Sequence, residues 1–105
     1  MKQFKVIVAP EAEEQIQRYL AYILFVFRRE DAYEAVKKDY LNTLKRLRTE
    51  AGIIGESRFK QLRDRELKQI FFKSHDYVIL FRVKGDVAEV AKIFHTSEDY
   101  QNKIR

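Results

Sequence analysis

Residues 67–100, LKQIFFKSHDYVILFRVKGDVAEVAKIFHTSEDY, constrain the fold more than any other stretch. They read as three consecutive strands. Lys68–Lys73 is the first, and Ser74, His75 and Asp76 form a polar break after it. Tyr77–Lys84 is dense in aromatic and branched residues, as strands on a packed sheet tend to be. Gly85-Asp86 suits a two-residue primed turn, because glycine accepts positive φ without a Cβ clash. Val87–His95 completes the meander, and a short helical tail is expected from Ser97, whose side-chain oxygen can cap it. A two-residue loop sets Lys84 opposite Val87, Arg82 opposite Glu89, Leu80 opposite Ala91 and Val78 opposite Ile93. The Arg82–Glu89 pairing of opposite charges supports that register. One face then carries Tyr77, Ile79, Phe81, Val83, Ala88, Val90 and Phe94. The other carries Val78, Leu80, Arg82, Glu89, Ala91 and Ile93. Both are more apolar than a solvated antiparallel face.

A strand is expected over Phe4–Ala9, closed by Pro10, which suits the first position of a helix. Glu11, Glu13 and Glu14 then meet the positive end of a helix dipole, and Arg28 and Arg29 the negative end, so a helix is predicted over Pro10–Arg29. Its second half, YLAYILFVF, is apolar nearly all round. Such a helix is either sandwiched between layers or offers a protein-binding surface. Asp31 and Glu34 have capping-box spacing and open a second helix to about Thr49, with Tyr33, Val36, Tyr40, Leu44 and Leu47 as its apolar stripe. Gly52 is a plausible stop for it. The two helices form an αα-hairpin connected at Glu30-Asp31. Its predicted core residues are Leu20, Ile23, Phe27, Val36, Tyr40 and Leu44, packed on Tyr77, Ile79, Phe81, Val90 and Phe94. Residues 53–66 are the least regular stretch and hold Arg58, Lys60, Arg63 and Arg65, a basic cluster continued by Lys68.

With 105 residues the chain is one domain, 1–105, with one core. Hydrophobic residues make up 46% and charged residues 35%, which is globular rather than disordered. The net charge of +5 favours acidic partners. No cysteine is present, which excludes a thiolate nucleophile and any cysteine-based metal site. His75 and His95 fall at opposite ends of a predicted strand pair, so no metal site is expected. Glycine-rich phosphate loops and His-Glu-x-x-His helices are absent, and no cofactor is expected. The apolar runs are too short for a signal segment or a bilayer span, so the expected location is the cytoplasm, with no membrane partner.

The order strand, two helices, basic segment, meander and tail carries a resemblance. The residues Leu67-Lys68, Tyr77–Val83, Gly85-Asp86 and Val90-Ala-Lys-Ile-Phe-His-Thr-Ser-Glu-Asp-Tyr100, with the opening Val6–Ala12, resemble the RelE/ParE superfamily of toxins of type II toxin–antitoxin pairs. The ending Ile-Phe-His-x-x-x-Asp-Tyr looks like the ParE and plasmid-stabilisation branch. The resemblance implies an α+β fold in β-α-α-β-β-β order, with an αα-hairpin on one face of a small, mostly antiparallel sheet and a short C-terminal helix. ParE-like members inhibit DNA gyrase and are neutralised by a cognate antitoxin. RelE-like members are ribosome-dependent mRNA endonucleases that use cations and tyrosines around the sheet. Lys68 matches one such cation, but two others fall at Val78 and near Thr96–Ser97. A metal-free RNase must activate a 2′-OH and stabilise a charged phosphorane with side chains alone. The missing cations therefore favour the gyrase reading. Lys68, Arg82, His95 and Tyr100 are the catalytic candidates if the chain is an RNase, and a degenerate member that only binds antitoxin is the third reading. A homodimer is an option when antitoxin is absent.

Two partner-binding sets follow from the sequence. Arg58, Lys60, Arg63 and Arg65 form the basic one. Val78, Leu80, Ala91 and Ile93 form an apolar face left for the antitoxin, unless residues 50–66 fold back over it through Ile53, Ile54, Phe59 and Leu62.

Overall fold

The computed structural model describes residues 2–104. Strand β1 (Lys5–Val8) leads into helix α1 (Pro10–Ala21), which runs on as a π-helical turn over Tyr22–Val26. Helix α2 (Glu30–Glu50) returns antiparallel, and a single helical turn, α3 (Lys60–Arg63), precedes β2 (Lys68–Phe71). Strands β3 (Tyr77–Lys84) and β4 (Val87–His95) follow at the expected bounds, and the chain ends in a 3₁₀ turn at Tyr100–Asn102. The sheet order is β1-β4-β3-β2, with β1 parallel to β4 and the other pairs antiparallel. Gly85 turns the central hairpin at φ 60°.

Near that turn the register is the expected one, with Arg82 opposite Glu89. It then slips by one residue between Leu80 and Phe81, so that Leu80 faces Lys92 and Ile79 faces Ile93. A bulge places two residues of one strand against one of its neighbour and reverses the alternation beyond it. The expected faces of Ile93 and Phe94 are thereby corrected: Ile93 packs with the hairpin helices and Phe94 on the opposite side. Beyond the end of β1, the side chains of α1 replace a strand neighbour for β4. Gln15 Oε1 accepts the Ile93 N–H at 2.8 Å, and Tyr19 Oη accepts the His95 N–H at 3.2 Å. Both amides lie deep enough that an unpaired donor there is costly.

The first core lies between the hairpin and the sheet, where Ile16, Leu20, Val36, Tyr40 and Leu47 meet Ile70, Ile79, Phe81, Val90 and Ile93. Gly52 belongs to this layer for lack of a side chain, since a Cβ there would come within 2.9 Å of the Phe4 ring. Phe27, expected in the core, is exposed instead, and Ile23 and Leu44 are half-buried.

The second face is not open, which corrects the expectation that Val78, Leu80, Ala91 and Ile93 wait for a partner. Val78 and Leu80 are fully buried beneath Leu62, Leu67, Phe94, Tyr100 and Ile104, with Phe59 and Ala91 packed alongside. The cover is α3 together with the C-terminal tail. Ile53 takes no part and is almost fully exposed, while Ile54 packs on the first core. Two local expectations also fail. Asp31 caps nothing; it pairs with Arg29 at 3.0 Å, and α2 begins at Glu30. Ser97 does not start a helix, because its hydroxyl and amide are turned back onto His95 Nδ1 at 2.7 and 3.1 Å.

Candidate functional site

The hairpin tip groups four exposed large apolar side chains, Tyr22, Phe25, Val26 and Phe27. A regular α-helix continuing from Pro10 would keep turning its apolar stripe onto the sheet. At Tyr22 the ladder widens instead: the Phe27 N–H donates to the Tyr22 carbonyl, an i to i+5 bond at 3.2 Å. Extra residues in a turn rotate everything beyond them off the original face. Tyr22, Phe25, Val26 and Phe27 therefore stand 55–71% exposed, capped by Arg28 at a left-handed φ of 54°. That φ is uncommon for a residue with a side chain and marks a turn held by its surroundings.

A groove of about 640 Å³ runs from this tip toward the end of β4, with Arg18, Tyr22, Phe27, Tyr77, His95 and Glu98 in its walls. Its polar floor is tightly organised. Tyr19 donates to Glu98 Oε1 at 2.5 Å, and Lys103 pairs with Glu98 at 3.1 Å. Burial, reinforced by the bond to Glu98, pushes the Tyr19 hydroxyl well above its ordinary value. Burial works to raise Glu98 as well, but hydrogen bonds from Tyr19, Lys103 and the His95 amide outweigh it and hold the carboxyl low. Glu98 is thus an anion fixed by three donors, and the groove walls above it are aromatic. Such a lining suits apolar docking rather than proton transfer.

The four catalytic candidates do not converge. Lys68 and Arg82 line one groove of about 510 Å³ with Arg63, Lys84, Glu56 and Glu66. Arg82 Nε donates to the Arg65 carbonyl at 3.0 Å. His95 lies opposite Tyr77, five residues along β3 from Arg82, which is roughly 17 Å at strand rise. Its ring packs edge-on against Tyr77 at 5.1 Å. Tyr100 is buried on the far face, and its hydroxyl accepts from Gln69 Nε2 at 2.7 Å. One phosphate cannot touch all four.

The expected basic cluster is also dispersed. Arg58 lies over the Phe59 ring at 5.1 Å, and Lys60 pairs with Asp64 at 2.8 Å. Arg63 Nη1 donates to the Ser57 carbonyl at 3.0 Å, so its guanidinium fixes the loop before α3. Arg65 is exposed beside the Lys68 groove. The residues missed in the sequence are Arg18, Tyr19, Tyr22, Tyr77 and Glu98. The uninterrupted YLAYILFVF run was the visible signal for Tyr19 and Tyr22, while Arg18, Tyr77 and Glu98 lie outside it. Among the described residues, no three His, Asp or Glu side chains are placed to hold a metal, and no helix is long and apolar enough to cross a membrane.

Residues 6–100 match the family model described as ParE toxin of type II toxin-antitoxin system, parDE. The chain belongs to the ParE toxin family. A solved structure, the chromosomal ParDE toxin–antitoxin system from P. aeruginosa, shares the ParE-like fold with a TM-score of 0.72. The alignment covers 89% of this chain and 96% of the other at 18% identity, so it speaks for the fold alone. No curated protein matches the chain.

Proposed function

We propose that this ParE-family toxin acts in the cytoplasm by binding DNA gyrase and that a cognate antitoxin neutralises it. The observation that carries the reading is the aromatic hairpin tip beside the Tyr19–Glu98 groove. A patch of that kind on a small domain is a recognition surface, and aromatic side chains flanked by arginines are the usual anchors of such surfaces. The basic net charge assists approach to an acidic protein or to a DNA-bound enzyme. The dispersal of Lys68, Arg82, His95 and Tyr100 counts against the mRNA endonuclease reading, because in-line attack needs its acid, base and phosphate-binding cations around one bond.

The test is a supercoiling assay with purified gyrase, run beside an mRNA cleavage assay on programmed ribosomes. Inhibition of supercoiling with intact mRNA is the expected result. It should weaken at least tenfold in the double variant Tyr22→Ser, Phe25→Ser, whose positions are exposed and whose fold should survive. Cleaved mRNA with unaffected gyrase sinks the proposal. Inactivity in both assays, with antitoxin still bound, identifies a member that keeps only antitoxin binding.

A further inference from the structure

We propose that the open half of the second sheet face, beside the β3–β4 turn, binds the phosphate backbone of duplex DNA without reading its sequence. The inference goes beyond inhibition of gyrase, and only its choice of DNA over duplex RNA rests on the gyrase reading. The face follows from strand alternation. Val6, Val8, Val83, Ala88 and Val90 pack in the first core. Successive side chains of a strand point to opposite faces, so Lys5, Ile7, Arg82, Lys84, Val87 and Glu89 turn the other way. Helix α3 and the tail cover that second face over Val78, Leu80, Ala91 and Phe94. Toward the turn the cover ends: Lys5, Ile7, Lys84 and Glu89 are exposed, and Arg82 and Val87 are half-buried.

The fold leaves the cations of this half uncommitted. Lys5 and Lys84 both pair with Val87, one from each side. Their Cα atoms are therefore two strand spacings apart, about 10 Å. Lys2 reaches the same turn, its ammonium donating to the Gly85 carbonyl at 3.3 Å. Arg65 borders the face, since its carbonyl accepts Arg82 Nε at 3.0 Å. Lys2, Lys5, Lys84 and Arg65 have no carboxylate partner among the described residues. The acids close by are Glu89, which meets Arg82 at 3.9 Å, and Asp86 in the turn. Glu56 and Glu66 lie in the adjoining Lys68 groove.

The lining specifies the occupant. Separate, unpaired cations held at fixed spacing on a sheet suit a regular polyanion, because each phosphate neutralised releases counterions. Single-stranded nucleic acid is bound by stacking its bases on exposed aromatic rings. This face offers none, its apolar members being Ile7 and Val87. Two lysines about 10 Å apart at Cα, on flexible stems, reach phosphates on both sides of a major groove about 12 Å wide. Such contacts position a protein on a duplex and carry no sequence information. Location supplies the choice of DNA. His95, in the wall of the aromatic groove, lies eight residues along β4 from Val87, roughly 26 Å at strand rise. With its aromatic tip on gyrase, the molecule keeps the basic face free for the DNA that gyrase holds.

The test is fluorescence anisotropy of a labelled twenty-base-pair DNA duplex of arbitrary sequence, titrated with the whole chain between 50 and 200 mM salt. The wild type should bind, with an affinity that falls linearly in log–log form as salt rises. The double variant Lys5→Gln, Lys84→Gln should bind at least tenfold more weakly at 50 mM salt, and its salt slope should be shallower by about 0.9 for each lysine removed. The control is Lys38→Gln, Lys45→Gln, which removes the same charge from exposed positions on α2. It should stay within about threefold of the wild type, since distant exposed charges are screened. All four positions are exposed, and unchanged melting temperatures confirm that both variants fold. Equal weakening of the two variants would show net charge acting alone and overturns the proposal. So does a wild type that leaves the duplex unbound at 50 mM salt, or one that binds duplex RNA or a glutamate peptide of equal charge more tightly than the DNA. No gyrase is present in this titration. Binding of the duplex by a chain that leaves supercoiling untouched supports the face while defeating the gyrase reading, and gyrase inhibition without duplex binding does the reverse.

Discussion

Asp39 is a buried charged side chain that ties two elements of the fold together. It stands on α2, nearly buried, and joins that helix to the turn between β2 and β3. Its carboxylate accepts the Lys73 and Ser74 amides at 3.2 and 2.9 Å and meets His75 Nδ1 at 2.7 Å. Burial pulls its pKa up, but the bonds from His75, Ser74 and Lys73 win and hold it below the ordinary value. A carboxyl depressed in the folded state stabilises above its unfolded pKa, near about 4, and loses that contribution as pH falls through the folded value. The stability gap between wild type and Asp39→Asn in urea titrations should thus be widest near pH 7 and close below about pH 4. Asp39→Ala, which strands two backbone donors, should cost about 2–3 kcal/mol. Tyr40 is the opposite case. Its hydroxyl is buried without a partner among the described residues, and burial pushes its pKa up to about 12. Tyr40→Phe should therefore be neutral or stabilising by up to about 1 kcal/mol in the same titrations. None of this was legible in the sequence. Asp39 looked like one more charge on a helix surface, and Tyr40 like an ordinary member of the apolar stripe.

At the scale of elements, the strands were legible because local signals agreed with the fold. Alternation, the Gly85-Asp86 turn and the Arg82–Glu89 pair all specify one hairpin, and β3 and β4 have the bounds they predict. Three features escaped for physical reasons. The bulge near Leu80 leaves no mark in composition, yet it exchanges the faces of Ile93 and Phe94. The π-turn at Tyr22–Val26 looks like a continuing helix, because only backbone geometry distinguishes the two. The cover of the second face comes from a four-residue helix and an irregular tail, neither of which has a period to read. Leu80 tests that cover. Since it is fully buried, Leu80→Asp places an unpaired charge in the interior. The isolated protein should lose its cooperative thermal transition, and a folded variant would show that the tail opens easily. Phe25→Ser should do the reverse. At 71% exposure its stability should change by less than about 0.5 kcal/mol, while gyrase inhibition falls.

Across the whole molecule, charge separates into two kinds. Some cations are committed internally: Arg46 to Glu50 and the Phe71 carbonyl, Arg63 to the Ser57 carbonyl, Lys92 to Glu11 and Lys103 to Glu98. Others, among them Arg58, Arg65 and Lys68, have no carboxylate partner among the described residues and add to the net +5 that a partner meets. The sequence showed where the charges are dense but not which of them the fold consumes. The distinction has a measurable consequence. Uncommitted surface charges act through a screened field, so they contribute most to association rate and to its dependence on salt. The double variant Arg58→Gln, Lys68→Gln should keep the wild-type melting temperature. It should bind antitoxin more weakly at 50 mM salt and show a flatter fall in association rate up to 500 mM. Arg63→Gln should instead lower the melting temperature, because the Ser57 carbonyl loses its donor. An unchanged salt slope in the double variant would mean that the antitoxin binds without help from this charge.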